Sequence, residues 1–168
     1  SSAASDVYKR QNLLMIGINV AIFIIMEFLG STEDTGFMLQ WGAACRPPIL
    51  NGEWYRLFTS MFLHFGIYHL ANNMAVLLFM GDMVENAVGH WKYLAIYLGS
   101  GLVGNLLSLY MDIQSQSNIV SAGASGAIYG IIGGVFVLMI KNKKQVREIV
   151  IRRLVFVIVV TIYYCLLY

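Results

Sequence analysis

The sequence predicts an all-α fold, a polytopic membrane helical bundle, and three observations carry that expectation. Hydrophobic residues make up 58% of the 168 positions and charged residues 12%, with a mean hydropathy of +0.69, outside the usual balance of a water-soluble domain. The apolar residues gather into five runs, Leu13 to Leu29, Leu57 to Met80, Tyr93 to Met111, Ile119 to Ile140 and Leu154 to Tyr168. Most of the basic residues flank these runs on what would be one side of a bilayer.

The first run follows Lys9 and Arg10 and is just long enough to cross a core of about 30 Å at 1.5 Å per residue. It contains Asn19 and Glu27 and is followed by Gly-Ser-Thr-Glu-Asp with no small-residue cleavage site, so it reads as a retained span and not as a signal peptide. A first residue of serine is read as a start downstream of the natural one. The stretch 30–56 is the one long connection. It holds both prolines, Pro47 and Pro48, together with Phe37, Trp41, Trp54 and Tyr55. Tryptophan and tyrosine favour the membrane boundary, so this connection is expected as a loop on the outer leaflet. The second, third and fourth runs are long enough to cross. The fifth, about 22 Å as a helix, is read as stopping inside one.

Lys141, Lys143, Lys144, Arg147, Arg152 and Arg153 fill the connection between the fourth and fifth runs. The positive-inside rule places that connection and the N-terminus in the cytoplasm, consistent with four crossings between them. Of eleven lysines and arginines, only Arg46 and Arg56 then lie outside. The chain, 1–168, reads as a single membrane domain in contact with the lipid bilayer, and the sequence sets no oligomeric state. Cys45 and Cys165 both fall toward the outer side, where a disulfide is geometrically conceivable, although two free cysteines are the preferred reading. No spacing of His, Cys, Asp or Glu resembles a metal site. A net charge of +2, with the basic loop explained by topology, gives no reason to expect nucleic acid.

Two polar constellations interrupt the apolar runs, and polar groups in a bilayer tend to mark function. In the second run His69 and Asn73 stand four residues apart and share a helix face. Two donors on one face suit the stabilisation of an oxyanion during acyl transfer. His64, about 140° away on a continuous helix, points elsewhere and reads, like Asn72, as a structural hydrogen-bonding residue. In the fourth run Ser125 and Tyr129 share a face, and Gly126, Gly130 and Gly134 form a smooth strip about 100° around from it. Such a strip calls for a closely packed partner helix. Ser125 is expected about six residues, or roughly 9 Å, inside the span. Serine needs an adjacent base, most often histidine. His90 follows Gly89 in the turn after the second helix, on the side away from Ser125, and is excluded.

His64-x4-His69-x3-Asn73 with Gly123-Ala124-Ser125-Gly126 resembles the signature pair of the rhomboid intramembrane serine proteases, and the resemblance runs from about Trp41 to Tyr168. Glu53-Trp54-Tyr55-Arg56 is similar to the family's loop motif, with tyrosine where tryptophan usually precedes the arginine. Gly81, Glu85 and Gly89 resemble its turn after the second helix, and the stretch from Gly99 to Ser108 its small-residue third helix. The resemblance implies Ser125 as nucleophile, with His69, Asn73 and the Ser125 N–H around the oxyanion, and Tyr129 as the ring against which a dyad histidine packs. It implies structural roles for His64, Arg56, Glu85, Gly123, Gly126, Gly130 and Gly134. It further implies a transmembrane protein as substrate, cut near the outer boundary after entering beside the second and fifth helices, with no metal or organic cofactor. The bacterial type of the family implies a multi-pass protein of the plasma membrane.

In that family the base is a histidine on a sixth helix. Five of the six core helices are expected here, so the chain reads as incomplete at its C-terminus and catalytically silent alone. Two readings stay open: an intramembrane serine protease, which is favoured, and a catalytically inactive rhomboid-like protein that binds transmembrane segments. A transporter is a distant third, since no inverted repeat is apparent.

Overall fold

The computed structural model describes residues 10–141, 148, 150–153, 155 and 159. Among them the elements are helical, and the one β-type pairing is an isolated antiparallel bridge between Ala44 and Ser121.

Helix α1 (Arg10–Leu29) turns Asn12, Met15, Asn19, Phe23 and Met26 inward, a spacing of three and four residues that keeps them on one face. Its outer face, with Leu13, Leu14, Ile24, Ile25 and Phe28, is just as apolar, as a lipid-facing surface must be. The two inward asparagines are hydrogen-bonded across the bundle. Asn12 donates to the Leu77 carbonyl at 2.8 Å and accepts from the Tyr93 hydroxyl at 2.6 Å, while Asn19 donates to the Tyr97 hydroxyl at 3.2 Å. At the start of the helix, where backbone N–H groups lack intrahelical acceptors, Gln11 and Asn12 each donate to the fully buried carboxylate of Glu85 at 2.9 Å.

The 30–56 connection folds into two short helices, α2 (Thr35–Gln40) and α3 (Arg46–Leu50). Asp34 caps the first by accepting from the Phe37 N–H at 2.6 Å, and Pro47 and Pro48 occupy the first turn of the second, where a missing N–H costs nothing. Arg56 then ties the loop to the start of the second apolar run. It donates to the carbonyls of Leu39 at 2.6 Å and Ala43 at 3.0 Å and to the Glu53 carboxylate at 2.7 Å. Tyr55 adds its hydroxyl to the same carboxylate at 2.8 Å, a bond that tryptophan in its place could not make to that oxygen in the same way.

The second apolar run is not one straight helix. Helix α4 (Arg56–Thr59) and a 3-10 turn (Ser60–Phe62) end in an extended stretch, and α5 (Gly66–Val76) sets off at 87° to them. Gly66 makes the corner with φ +69°, and its N–H donates to Thr32 Oγ1 at 3.2 Å. A turn of π type (Leu77–Gly81) joins α5 to α6 (Asp82–Val88), so the crossing segment runs to Val88 and includes the buried Glu85. The carbonyls of this wider turn take partners from elsewhere: Leu77 from Asn12, and Phe79 from Arg153 at 2.8 Å. Arg153 also pairs with Asp82 at 2.9 Å.

Gly89, at φ +82°, reverses the chain into α7 (His90–Ser115), which ends at Gln116 in the left-handed conformation. Helix α8 (Ser125–Lys141) closes the described bundle. The fourth apolar run therefore is not one helix either. Ile119 to Ala124 stay outside it because Ser121 exchanges backbone bonds of 2.9 Å with Ala44, and Gly123, at φ +130°, donates to the Ser60 carbonyl at 2.8 Å. Ser125 opens the helix, in place of the half-dozen or so helical residues that an unbroken span puts ahead of it.

Helices α1 and α7 are long and apolar enough to cross a membrane, and the bent pair α4 to α6 makes a third if counted as one span. Helix α8, at about 25 Å, is shorter. The fifth apolar run falls largely outside the described residues, as does Cys165, and Cys45 is a buried free thiol. The glycine strip finds its partner within this chain. A Cβ on Gly126 would stand 3.4 Å from Gly101 Cα, one on Gly130 would overlap Ser100, and one on Gly134 would stand 3.2 Å from the side chain of Val84. The strip thus packs on α7 and α6.

Candidate active site

Ser125 stands at the first position of α8, and the site is built on the residues just before it. The first helical bond of α8 is the Ile128 N–H to the Ala124 carbonyl at 2.9 Å. The N–H groups of Ser125, Gly126 and Ala127 precede it at the helix end that carries partial positive charge, a setting that favours a developing anion. Ala124 is fully buried, and its N–H points to His64 Nε2 at 3.4 Å.

His69 and Asn73 lie against Gly123. A Cβ there would be 2.7 Å from His69 Cε1 and 3.4 Å from Asn73 Nδ2, so only glycine lets the chain pass this close to both side chains. Asn73 is buried, and its Nδ2 has no hydrogen-bond partner among the described residues. A buried amide donor without an acceptor is costly and marks a place where an acceptor can arrive. His64 does not point away as an unbroken helix required. The corner at Gly66 brings its ring edge-on to His69, with centroids 5.2 Å apart.

Tyr129 is 74% exposed, one turn beyond Ser125. The two residues share a groove of about 220 Å³ with Gly104, Asn105, Ser121 and Gly123. The exposed face of α8 continues from them through Gly133, Phe136 and Ile140. Ser125 Oγ has no hydrogen bond to any histidine among the described residues. His90 accompanies Glu85 at 2.8 Å at the far end of α7, roughly 14 residues or about 21 Å from Gly104, which touches Gly126.

Sequence reasoning missed Ser60 and Asn105. Asn105 donates to the Leu57 carbonyl at 2.7 Å and to Ser60 Oγ at 3.0 Å, and the Ser60 carbonyl receives the Gly123 N–H. They connect α7, the 3-10 turn and the nucleophile segment. A lone amide in the middle of an apolar helix was the available signal for Asn105. Arg56, Glu85, Gly130 and Gly134 lie outside the groove, Arg56 bonded to the loop, Glu85 against the start of α1 and the two glycines against α7 and α6, whereas Gly126 lines the groove beside Ser125. The loop carboxyl of Glu53 is held below its usual range by hydrogen bonds from Tyr55 and then Arg56. No group of three His, Cys, Asp or Glu that could hold a metal ion converges among the described residues.

A family model described as the Rhomboid domain matches residues 51–168. The chain is similar to the rhomboid protease GluP of Bacillus subtilis, with 33% identity over 149 residues covering 89% of this chain and 28% of that protein. It is also similar to the rhomboid protease AarA of Providencia stuartii, with 32% identity over 157 residues covering 84% of this chain and 56% of the relative. A putative rhomboid protease, YdcA of Bacillus subtilis, shares 37% identity over 97 residues, 56% of this chain and 47% of its own. The chain thus spans less than two thirds of the length of each of these relatives.

Proposed function

The chain belongs to the rhomboid family of integral membrane proteins, and on that premise we propose that it is the core of an intramembrane serine protease that cuts single-span membrane proteins near the outer boundary. The observation that carries this reading is the unpartnered Asn73 Nδ2, buried beside His69 and Gly123 and two residues ahead of a helix that opens on serine.

In the proposed reaction Ser125 Oγ attacks the scissile carbonyl. The oxygen that becomes negative is received by Asn73 Nδ2, the His69 ring and the Ser125 N–H. Gly123 is needed for their close approach, and His64 orients the segment through Ala124. The serine proton passes to a histidine that is none of the three in this sequence and that packs against Tyr129 on the exposed face of α8. The basic residues around 141–153 and at Lys9 and Arg10 orient the N-terminus to the cytoplasm, with the groove toward the outside. The plasma membrane of a bacterium fits that orientation.

The test is to place the protein as the cell makes it in lipid vesicles with a model single-span substrate and a fluorophosphonate probe. Labelling at Ser125 and cleavage that Ser125→Ala abolishes are the expected results. Asn73→Ala should slow cleavage about 10²- to 10³-fold without eliminating it. Cleavage that survives Ser125→Ala overturns the reading. A protein that binds the substrate but neither labels nor cuts is instead a binder of transmembrane segments. Labelling that His69→Ala abolishes while leaving the fold intact makes His69 the base.

A further inference from the structure

Resting on the protease reading, we infer that Arg46 is a positioning residue for Ser125, holding the segment 116–124 by its α7 end. Its guanidinium makes four hydrogen bonds to that segment: Nε and Nη2 to Asn118 Oδ1 at 3.1 and 2.9 Å, Nη1 to Gln116 Oε1 at 3.1 Å, and Nη2 to the Gln116 carbonyl at 3.2 Å. The planar fork reaches two residues at once, which gives geometric definition that one ammonium group cannot.

Both ends of the clamp are prepared for it. Arg46 opens α3 and is followed by Pro47 and Pro48, whose fixed φ angles stiffen the turn that carries it. Gln116 is the one non-glycine residue at positive φ among the described residues, a conformation that side chains disfavour and that needs support. Arg46 grips both its carbonyl and its side chain.

Beyond Gln116 the chain runs to Ser125 without a helix, and its ties there are few. The Ala44–Ser121 pair, the Cys45 thiol to the Asn118 carbonyl at 3.6 Å, and the Gly123 N–H to Ser60 are the ones on the loop side. Loss of the Arg46 bonds leaves the first third of the segment tied to the loop by the Cys45 thiol alone, its other bonds running back to the end of α7, from Ser117 to Asp112 at 2.8 and 3.0 Å and from Gln116 to the Ile113 carbonyl at 3.4 Å. Any swing is transmitted to Gly123 against His69 and Asn73 and to Ala124 against His64. Displacements near 1 Å in a reacting group cost up to about 10²-fold in rate. The four bonds lie on the solvent side, where such contacts add little to overall stability. Geometry and stability therefore separate.

The experiment uses the protein as the cell makes it, in lipid, with Arg46→Gln, Asn118→Ala and the double variant. Three quantities are read: amide hydrogen exchange at Ser121 and Gly123, kcat and KM for a single-span substrate, and the thermal midpoint. Arg46→Gln should speed exchange about tenfold and lower kcat about 10- to 100-fold, with KM and the midpoint unchanged. The double variant should be no worse than Arg46→Gln, because both changes break the same contact. An unchanged kcat, a change in KM alone, or a fall in kcat that follows a fall in the midpoint overturns the inference. If the wild-type protein cuts nothing, the protease reading fails by itself, and exchange decides the clamp: lost protection upholds it and unchanged protection overturns it.

Discussion

Replacing Gly130 with alanine adds one carbon at the closest point between α7 and α8, where it would overlap the hydroxyl and the Cβ of Ser100. The hydroxyl could rotate, but only by giving up its bonds to the Ile96 carbonyl at 2.5 Å and the Ala127 carbonyl at 3.3 Å, each worth about 1 kcal/mol. The Ser100 Cβ cannot rotate at all, so the helices must part. Overpacking of this kind costs about 1–3 kcal/mol, against the 0.5–1 kcal/mol or so that alanine gains over glycine in a helix. At Gly99, in contrast, an added Cβ meets nothing within 4 Å, and only the gain applies. Gly126 is intermediate, because its Cβ would make an ordinary contact of 3.4 Å. Thermal unfolding in detergent should therefore rank Gly99→Ala above wild type, Gly126→Ala near it and Gly130→Ala below. Removing the obstruction with Ser100→Gly should recover part of the Gly130→Ala loss. Leucine at Gly126 or Gly130 should be far more disruptive than at Ala95 or Val103, both on the exposed side of α7. If Gly99→Ala and Gly130→Ala melt together, the strip has no special packing role and its assignment to α7 is wrong.

At the other end of the bundle, Glu85→Ala should destabilise by about 3 kcal/mol or more, measured in the same assay, since it orphans two backbone donors of α1; Glu85→Gln, which keeps an acceptor, should lose less. Equal losses would point to space filling instead. In the loop, the lowered pKa of Glu53 means that its contribution is present above the usual carboxylate range, near pH 4, and is lost as pH falls through its still lower folded value. The stability gap between wild type and Glu53→Gln should thus be constant from about pH 7 to 5 and close toward about pH 3; a gap that stays open in acid refutes that role.

The parts of the site that are legible in the sequence are those set by helix periodicity. His69 and Asn73 at a spacing of four, and the strip at 126, 130 and 134, can be read because an α-helix fixes those angles. Hydropathy alone does not show where the helices end. Gly66 and Gly123 are indistinguishable from packing glycines in sequence, yet their positive φ angles break both apolar runs. The first break turns His64 toward His69, and the second brings Ser125 to the head of α8. The partner of the strip is hidden for a similar reason. Ser100, Gly101 and Gly104 stand out as part of a small-residue stretch, but which helix it faces is a tertiary fact. Asn105 shows in the sequence as a lone amide, but its partners, Ser60 among them, do not, because the bonds run to a backbone carbonyl and between the two side chains.

The wider turn at Leu77–Gly81 bears on the order in which the bundle can be assembled. Two of its carbonyls receive Asn12, made earlier in synthesis, and Arg153, made more than seventy positions later. In a bilayer, helices form first and associate afterwards. A helix carrying this turn presents both acceptors from the moment it inserts, before either visitor has come. The early and late ends of the chain can then close on one finished landmark independently, and neither has to wait for the other.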